Sequence, residues 1–351
     1  MDDVTVLITG VGAPGIKGTL YSLKNNFDNR KIRTVGTDIK EDVVGKYLCD
    51  KFYQISKPST EEYLSQLLSI CEKESVDVLL PQNTAELLVL AEHKNDFENI
   101  GTIVAVSDRR SIEIANNKYN LMKIANKIGV PTPEFYLVDN FDDLIKYAKE
   151  LGWPKQPIVV KPPTSNGMRG LRIIDESLDL KRMFYSEKPT GIYLKMEDLK
   201  NILGSSFPEL LVMEFLPKDE YTVDVLNTGI LTVIPRKRDL IKSGITFNGT
   251  VEKNEKIIEY SEKLGKEIGL KYAYGFQFKL DKNNVPKLLE SNPRIQGTMV
   301  LSAFAGANII YGAVKHALGE QVPEFDVKWG TRILRYWGGI GISEETVLAS
   351  L

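Results

Sequence analysis

The chain has 351 residues, 42% of them hydrophobic and 26% charged, with a formal charge of −2. That length exceeds one compact core and fits two or three domains, while the near-zero charge gives no reason to expect nucleic acid or a membrane surface as partner. The absence of an apolar run of 18 residues argues against a membrane span, the acidic start "MDDVTVLITG" does not read as a secretory signal, and two cysteines, Cys49 and Cys71, suit a reducing cytosol rather than a disulfide framework.

In chain order, "VTVLIT", "IRTVGTDI", "VDVLLP" and "TIVAVS" read as short buried strands. Between them "TLYSLKNN", "TEEYLSQLLSICEKE" and "AELLVLAEHKNDF" read as amphipathic helices, and the alternation predicts a parallel sheet flanked by helices. The first strand runs into Gly10, Gly12 and Gly15, spaced G-x-G-x-x-G, with Asp38 about where a dinucleotide fold keeps its ribose-binding acid. The loop Pro81–Glu86 lies at another strand end, where Asn83, Thr84 and Glu86 serve either to contact a substrate or to cap a helix. With only His93 and His316 present, a histidine-rich metal site is excluded.

From Ser111 the pattern changes. "IEIANNKYNLMKIANKIG" predicts one helix stopped by "VPTP", and "FDDLIKYAKELG" predicts a second. A strand "PIVVKP" ends at Lys161 and is followed by the small-residue loop "PTSNGMRG", in which Thr164, Ser165, Asn166, Gly167 and Gly170 can turn backbone N–H groups toward an anion, the plain alternative being a flexible surface turn. It lacks the G-K-[ST] of a Walker loop. "VMEFLPKDEYTVDVL" then gives an apolar strand, a short linker and Glu220. "NEKIIEYSEKLGKEIG" predicts a helix, and "GTMVLSAFAGANIIYGAVKHALG" an apolar one rich in small residues.

The hairpin "YGFQFKLDKNNVPKLLESNP" carries the most chemistry. A two-residue turn at Asn283–Asn284 would pair Lys282 with Val285 and set Gln277 opposite Glu290, with Asn292 and Arg294 on the same side. Amide and carboxylate oxygens so gathered suit Mg²⁺, and an arginine beside them suits phosphate. The plain alternative is an amphipathic hairpin with one wet face.

Taken together, Lys118, Lys161, the small-residue loop, "MEFLPKDE", Gln277 and "LLESNPRIQGT" resemble, in that order, the ATP-grasp superfamily, and in particular the carboxylate–amine ligases related to the synthetase half of the carbamoyl-phosphate synthase large subunit. The resemblance covers roughly residues 111–320. It implies an α/β and α+β chain: a Rossmann-like, pre-ATP-grasp parallel sheet in residues 1–110, then a two-subdomain ATP-grasp fold in 111–322 with a lid over about 157–217. A C-terminal segment, 323–351, would pack on either part. It further implies that Lys118, Lys161, Ser165, Asn166, Gly167 and Gly170 contact the phosphates of ATP, that Met213, Glu214, Phe215 and Leu216 line the adenine pocket, and that Glu220 binds ribose. Gln277, Glu290 and Asn292 would hold one or two Mg²⁺ ions, with Mn²⁺ as the alternative. Arg294 would neutralise the transferring phosphoryl group, and Arg238, or else Arg236, would approach an acyl phosphate. Both of the latter arginines have a bland alternative as solvated charges on an edge strand.

The activity implied is an ATP- and Mg²⁺-dependent ligase that joins a small-molecule carboxylate to an amine through an acyl phosphate and releases ADP and phosphate. Such a chain would be cytoplasmic, with no nucleic-acid or membrane partner and with a homodimer open to it. In this setting Gly10–Gly15 would shape a tight turn and one wall of the substrate cleft rather than hold a dinucleotide. Two rival readings are a non-catalytic nucleotide-binding regulator of the same fold and an NAD(P)-dependent oxidoreductase. The chain departs from the family in having a single ATP-grasp unit, Ile295 and Gln296 after "NPR", fewer loop glycines, and a final stretch "WGTRILRYWGG" without a counterpart.

Overall fold

The computed structural model describes residues 2–165, 167–186, 188, 191–336, 338–343 and 346–350. The chain divides into two compact units. Residues 1–115, 221–277 and 291–351 form the first, and residues 116–220 and 278–290 the second.

The first unit begins with a five-stranded parallel sheet made of β1 (Val4–Thr9), β2 (Ile32–Asp38), β3 (Lys51–Gln54), β4 (Val78–Leu80) and β5 (Ile103–Val104), ordered β3-β2-β1-β4-β5. Its inner strands β1 and β4 are near-continuous apolar runs because helices cover both faces. Along central β1, Val4, Val6 and Ile8 enter a core with Leu20 and Leu23 of the helix Ile16–Lys24. Leu7 points the other way, into a core with Tyr63 and Leu67 of the helix Glu62–Lys73. The predicted parallel sheet is present, and β3 is a strand that the sequence pattern did not announce.

The second unit holds a five-stranded sheet of β6 (Phe135–Asn140), β7 (Ile158–Lys161), β8 (Arg172–Ile174), β9 (Tyr193–Leu194) and β10 (Ser206–Glu214), ordered β6-β10-β7-β8-β9. Phe141, Leu144 and Ala148 of the helix Phe141–Glu150 cover it, packing with Val160, Ile174 and Val212.

A six-stranded sheet follows, from β11 (Glu220–Asn227), β12 (Leu231–Lys242), β13 (Ile245–Val251), β14 (Tyr272–Leu280), β15 (Pro286–Asn292) and β16 (Arg332–Leu334), ordered β15-β14-β11-β12-β13-β16. The chain passes from the first unit to the second within β14, after Gln277, and returns within β15, after Glu290. A terminal ribbon pairs β17 (Ile340–Ser343) with β18 (Thr346–Ser350). Among the described residues no helix is long and apolar enough to cross a membrane.

Three local expectations change. The helix expected over Ile112–Gly129 is two helices, Arg109–Asn116 and Lys118–Lys127, because Asn117 adopts an extended ψ of 106° and its side chain accepts the N–H of Asn120. Asparagine competes for backbone groups in this way and starts helices better than it continues them. The apolar helix near the C-terminus likewise splits into Val300–Phe304 and Ile309–Ala317, with Gly306 at φ 93° and Asn308 capping Tyr311. The hairpin turn also differs. Asp281, not Lys282, pairs with Val285, its N–H donating to the Val285 carbonyl at 3.0 Å. The Asp281 carboxylate accepts the N–H groups of Asn283 and Val285 at 2.8 and 2.9 Å, and Asn284 takes φ 64°. This is a three-residue turn closed by a left-handed residue. The two-residue premise that set Gln277 opposite Glu290 therefore fails.

Candidate active site

In the second unit, Asn117 places Lys118 at the first position of its helix, and the N–H of Lys118 donates to the Pro163 carbonyl at 2.8 Å. The ammonium groups of Lys118 and Lys161 are both drawn inward, each residue 4% exposed. Lys118 Nζ donates to the Ser165 carbonyl at 3.0 Å and to Ser165 Oγ at 3.3 Å, and lies 3.6 Å from a carboxylate oxygen of Glu290. Lys161 Nζ donates to the Leu289 carbonyl at 3.3 Å. Burial pushes the Lys161 ammonium down to about 8, with Glu290 and Glu220 opposing and Lys118 assisting. Two lysines, one serine and one carboxylate thus converge beside the small-residue loop.

That loop holds Gly167, Met168 and Gly170 at positive φ of 62°, 63° and 76°. Met168 adopts there a conformation costly for a residue with a Cβ, on the order of 1 kcal/mol. Asn166 lies outside the described residues. Of the expected adenine-lining residues, Met213 is 1% exposed and packs with Met122 and Leu211. Leu216 is buried and Phe215 half-buried. Glu214 is half-buried, and its carboxylate accepts from Lys287 Nζ at 2.6 Å and from the Glu134 N–H at 3.1 Å. Glu220 lies 3.7 Å from Lys279 Nζ. Sequence reading missed Lys279 and Lys287, although their alternation along the hairpin was the available signal.

In the first unit, Arg294 donates through Nε to Thr84 Oγ1 at 3.1 Å and through a terminal nitrogen to the Ile295 carbonyl at 2.8 Å. Thr84 is thereby joined to the "NPR" segment, a contact without a signal in the local sequence. Glu86 is no substrate ligand. It is 2% exposed, accepts from Thr9 and Tyr63 hydroxyls and the Asn83 N–H, and completes a capping box with Asn83. Gln277 and Asn292 are half-buried and also belong to this unit.

Arg236 occupies a different setting from the one expected. It lies within β12, an interior strand, and not on an edge or after a strand end. It is 1% exposed, and its guanidinium donates to Asp224 Oδ1 at 2.6 Å and to Thr298 Oγ1 at 2.8 Å, leaving Nε without a partner. Ser302 Oγ and Gln296 Nε2 donate to the same Asp224 at 2.6 and 3.3 Å. Burial pushes the Asp224 carboxyl up and Arg236 holds it down. This network ties down the segment from Gln296 to Ser302. Arg238 is also within β12, donating to Thr246 Oγ1 at 2.9 Å and to the Gly244 carbonyl at 2.6 Å.

The glycine fingerprint is spent on packing. The N–H groups of Gly12 and Lys40 donate to the Asp38 carboxylate at 2.8 and 3.0 Å, so the acid at the ribose-binding position of the fingerprint is engaged by backbone. A Cβ on Gly15 would stand 2.5 Å from Gly297 Cα. The third glycine lets the chain after β15 press against the start of the first helix.

Comparison with known proteins agrees with this architecture. Residues 206–336 match the family described as ATP-grasp in the biosynthetic pathway with Ter operon, and residues 6–105 match the PylC-like N-terminal domain. The chain carries an ATP-grasp domain. It is homologous to the carbamoyl phosphate synthase large chain, being 26% identical to that of Clostridium botulinum over 338 residues, which cover 92% of this chain but 27% of the relative. The large chain of Pyrococcus furiosus is 26% identical over 227 residues. The chain thus spans about a quarter of the length of the curated relatives it matches. Solved structures with the same fold include N5-carboxyaminoimidazole synthetase from Staphylococcus aureus complexed with ADP, with a TM-score of 0.67 and 19% identity over 93% of this chain and 80% of that one. A biotin carboxylase from Campylobacter jejuni gives 0.66 and 19% over 93% and 73%. The match to an ATP-grasp family over residues 206–336 thus lies after the match to a PylC-like N-terminal domain over residues 6–105.

Proposed function

We propose that the chain is an ATP-dependent ligase that activates a carboxylate as an acyl phosphate and passes it to an amine. The observation that carries this reading is the convergence of Lys118, Lys161, Ser165 and the Glu290 carboxylate. Buried ammonium groups beside a loop rich in left-handed residues suit a polyphosphate, and phosphoryl transfer depends on positioning and charge stabilisation rather than on an activated side-chain nucleophile. Lys118 and Lys161 would hold phosphate oxygens, the loop 162–170 would close over them, and Glu220 would take the ribose.

Glu290 offers hard carboxylate oxygens of the kind Mg²⁺ prefers, and the resemblance implies Gln277 and Asn292 as further donors. Bound there, the ion would neutralise phosphate charge. The Glu290 side chain, 29% exposed and 3.6 Å from Lys118, keeps oxygen surface available for it. Arg294 would stabilise the transferring group, and the network of Arg236 and Asp224 would position it. Arg238, also on β12, would act on the acyl phosphate. In domain terms, residues 1–110 precede an ATP-grasp region of 111–322 with its lid near 157–217, and 323–351 complete it. An oxidoreductase is disfavoured by Asp38 and Gly15, whose surroundings leave the fingerprint committed to protein contacts.

The test is ADP formation from ATP and Mg²⁺ across a panel of paired carboxylates and amines, with products read by mass spectrometry. Glu290→Ala is expected to lower the active pair's turnover roughly a hundredfold or more while the circular dichroism stays native. Equal turnover in the variant removes the metal role of Glu290, and a folded chain that never binds ATP removes the ligase.

A further inference from the structure

The glycine loop after β1 and residues 333–336 and 338–340 have no part in the nucleotide chemistry above. Within the first unit they border a cavity of about 470 Å³, a size typical of small-molecule sites. Its wall is largely apolar and includes Tyr21, Leu48, Val300 and Phe304. The rings of Tyr21 and Phe304 meet edge to face at 5.0 Å and remain 44% and 41% exposed. The charged residues of the wall are Lys17 and Arg335, both basic, and no acidic side chain lines it among the described residues.

Arg335 is set for recognition. It follows β16, its N–H bonded to the Phe247 carbonyl at 3.0 Å, and one terminal nitrogen donates to the Gly297 carbonyl at 2.8 Å. No carboxylate pairs with it among the described residues, whereas Arg236 has Asp224 at 2.6 Å. Burial and the nearby charge of Arg236 both depress the Arg335 guanidinium pKa. Arg335 therefore has the Arg236 charge nearby and no carboxylate partner of its own among the described residues, and an anion at Arg335 would offset that repulsion.

We propose that this cavity binds a small molecule with an aliphatic or aryl body and a carboxylate held by Arg335. The assignment deepens the ligase reading and rests on it, naming the class to which a substrate belongs. A planar guanidinium can take the carboxylate through two parallel bonds, the apolar wall takes the body, and the basic pair repels a cationic counterpart.

The test uses the full chain without nucleotide and titrates 3-phenylpropionate, its amide and 3-phenylpropylamine by calorimetry. The carboxylate should bind at least tenfold more tightly than the amide, and the amine should not bind. Arg335→Gln should weaken the carboxylate at least tenfold and leave the amide unchanged. Ala13→Trp, at an exposed position of the wall, should block every probe; circular dichroism and melting temperature confirm that each variant folds. Equal binding of acid and amide, an indifferent Arg335→Gln, or no carboxylate binding at millimolar concentration overturns the proposal. A parallel titration with ATP and Mg²⁺ separates the two readings: carboxylate binding without ATP binding sinks the ligase alone, and the reverse sinks the cavity assignment alone.

Discussion

Lys161 is the residue whose environment makes the sharpest demand. Its ammonium is pushed down to about 8 by burial, against an unfolded value near 10.4. A folded-state value below the unfolded one favours the neutral form, so stability on this account is lower below pH 8 and rises as pH climbs toward the unfolded value, by about 3 kcal/mol in full. A bound polyphosphate reverses the preference by stabilising the charge. ATP affinity should therefore weaken as pH rises above 8, with proton uptake on binding, measurable by calorimetry in buffers of different ionisation enthalpy; a flat profile would show that Lys161 does not meet the phosphates. Asp224 poses the converse case. Its replacement by Ala strands the Arg236 charge, 1% exposed, without its partner, and should cost about 3–5 kcal/mol in denaturant unfolding. A loss below about 1 kcal/mol would mean that water reaches the pair.

At the scale of elements, side chains that bind their own backbone decide where helices and turns begin. Asn117 sets the start of the helix that presents Lys118, and Asp281 gathers two N–H groups to close the hairpin. Asn284 completes that turn at φ 64°. Asn284→Ala puts a Cβ without local hydrogen bonding into the left-handed region and should destabilise by about 1–2 kcal/mol. Chemical denaturation measures it, and an unchanged midpoint would show that the turn can reshape at no cost.

At the scale of the whole molecule, the first unit is assembled from segments distant in sequence. The contact of Gly15 with Gly297 joins its N-terminal sheet to the loop after β15, and Arg294 with Thr84 joins the same parts through side chains. Gly15→Ala sets a Cβ 2.5 Å from Gly297 Cα, where backbone rather than a flexible side chain must yield. The expected cost is about 1–3 kcal/mol, seen as a lower melting temperature. A dinucleotide role for Gly15 would instead predict lost cofactor binding with intact stability.

The sequence by itself determined the parallel sheet and the strands of the β14–β15 hairpin, because periodicity depends on neighbours in the chain, while the order of its motifs carried the resemblance to ATP-grasp proteins. Only the tertiary structure decided the hairpin register, the burial of Arg236 against Asp224, the role of Glu86 as a cap and the use of the glycine fingerprint for close packing. Each of these turns on which remote group approaches a residue and whether water is excluded there. Two arginines two positions apart on β12, or a glycine beside a helix, look alike in sequence until the chain that covers them has folded into place.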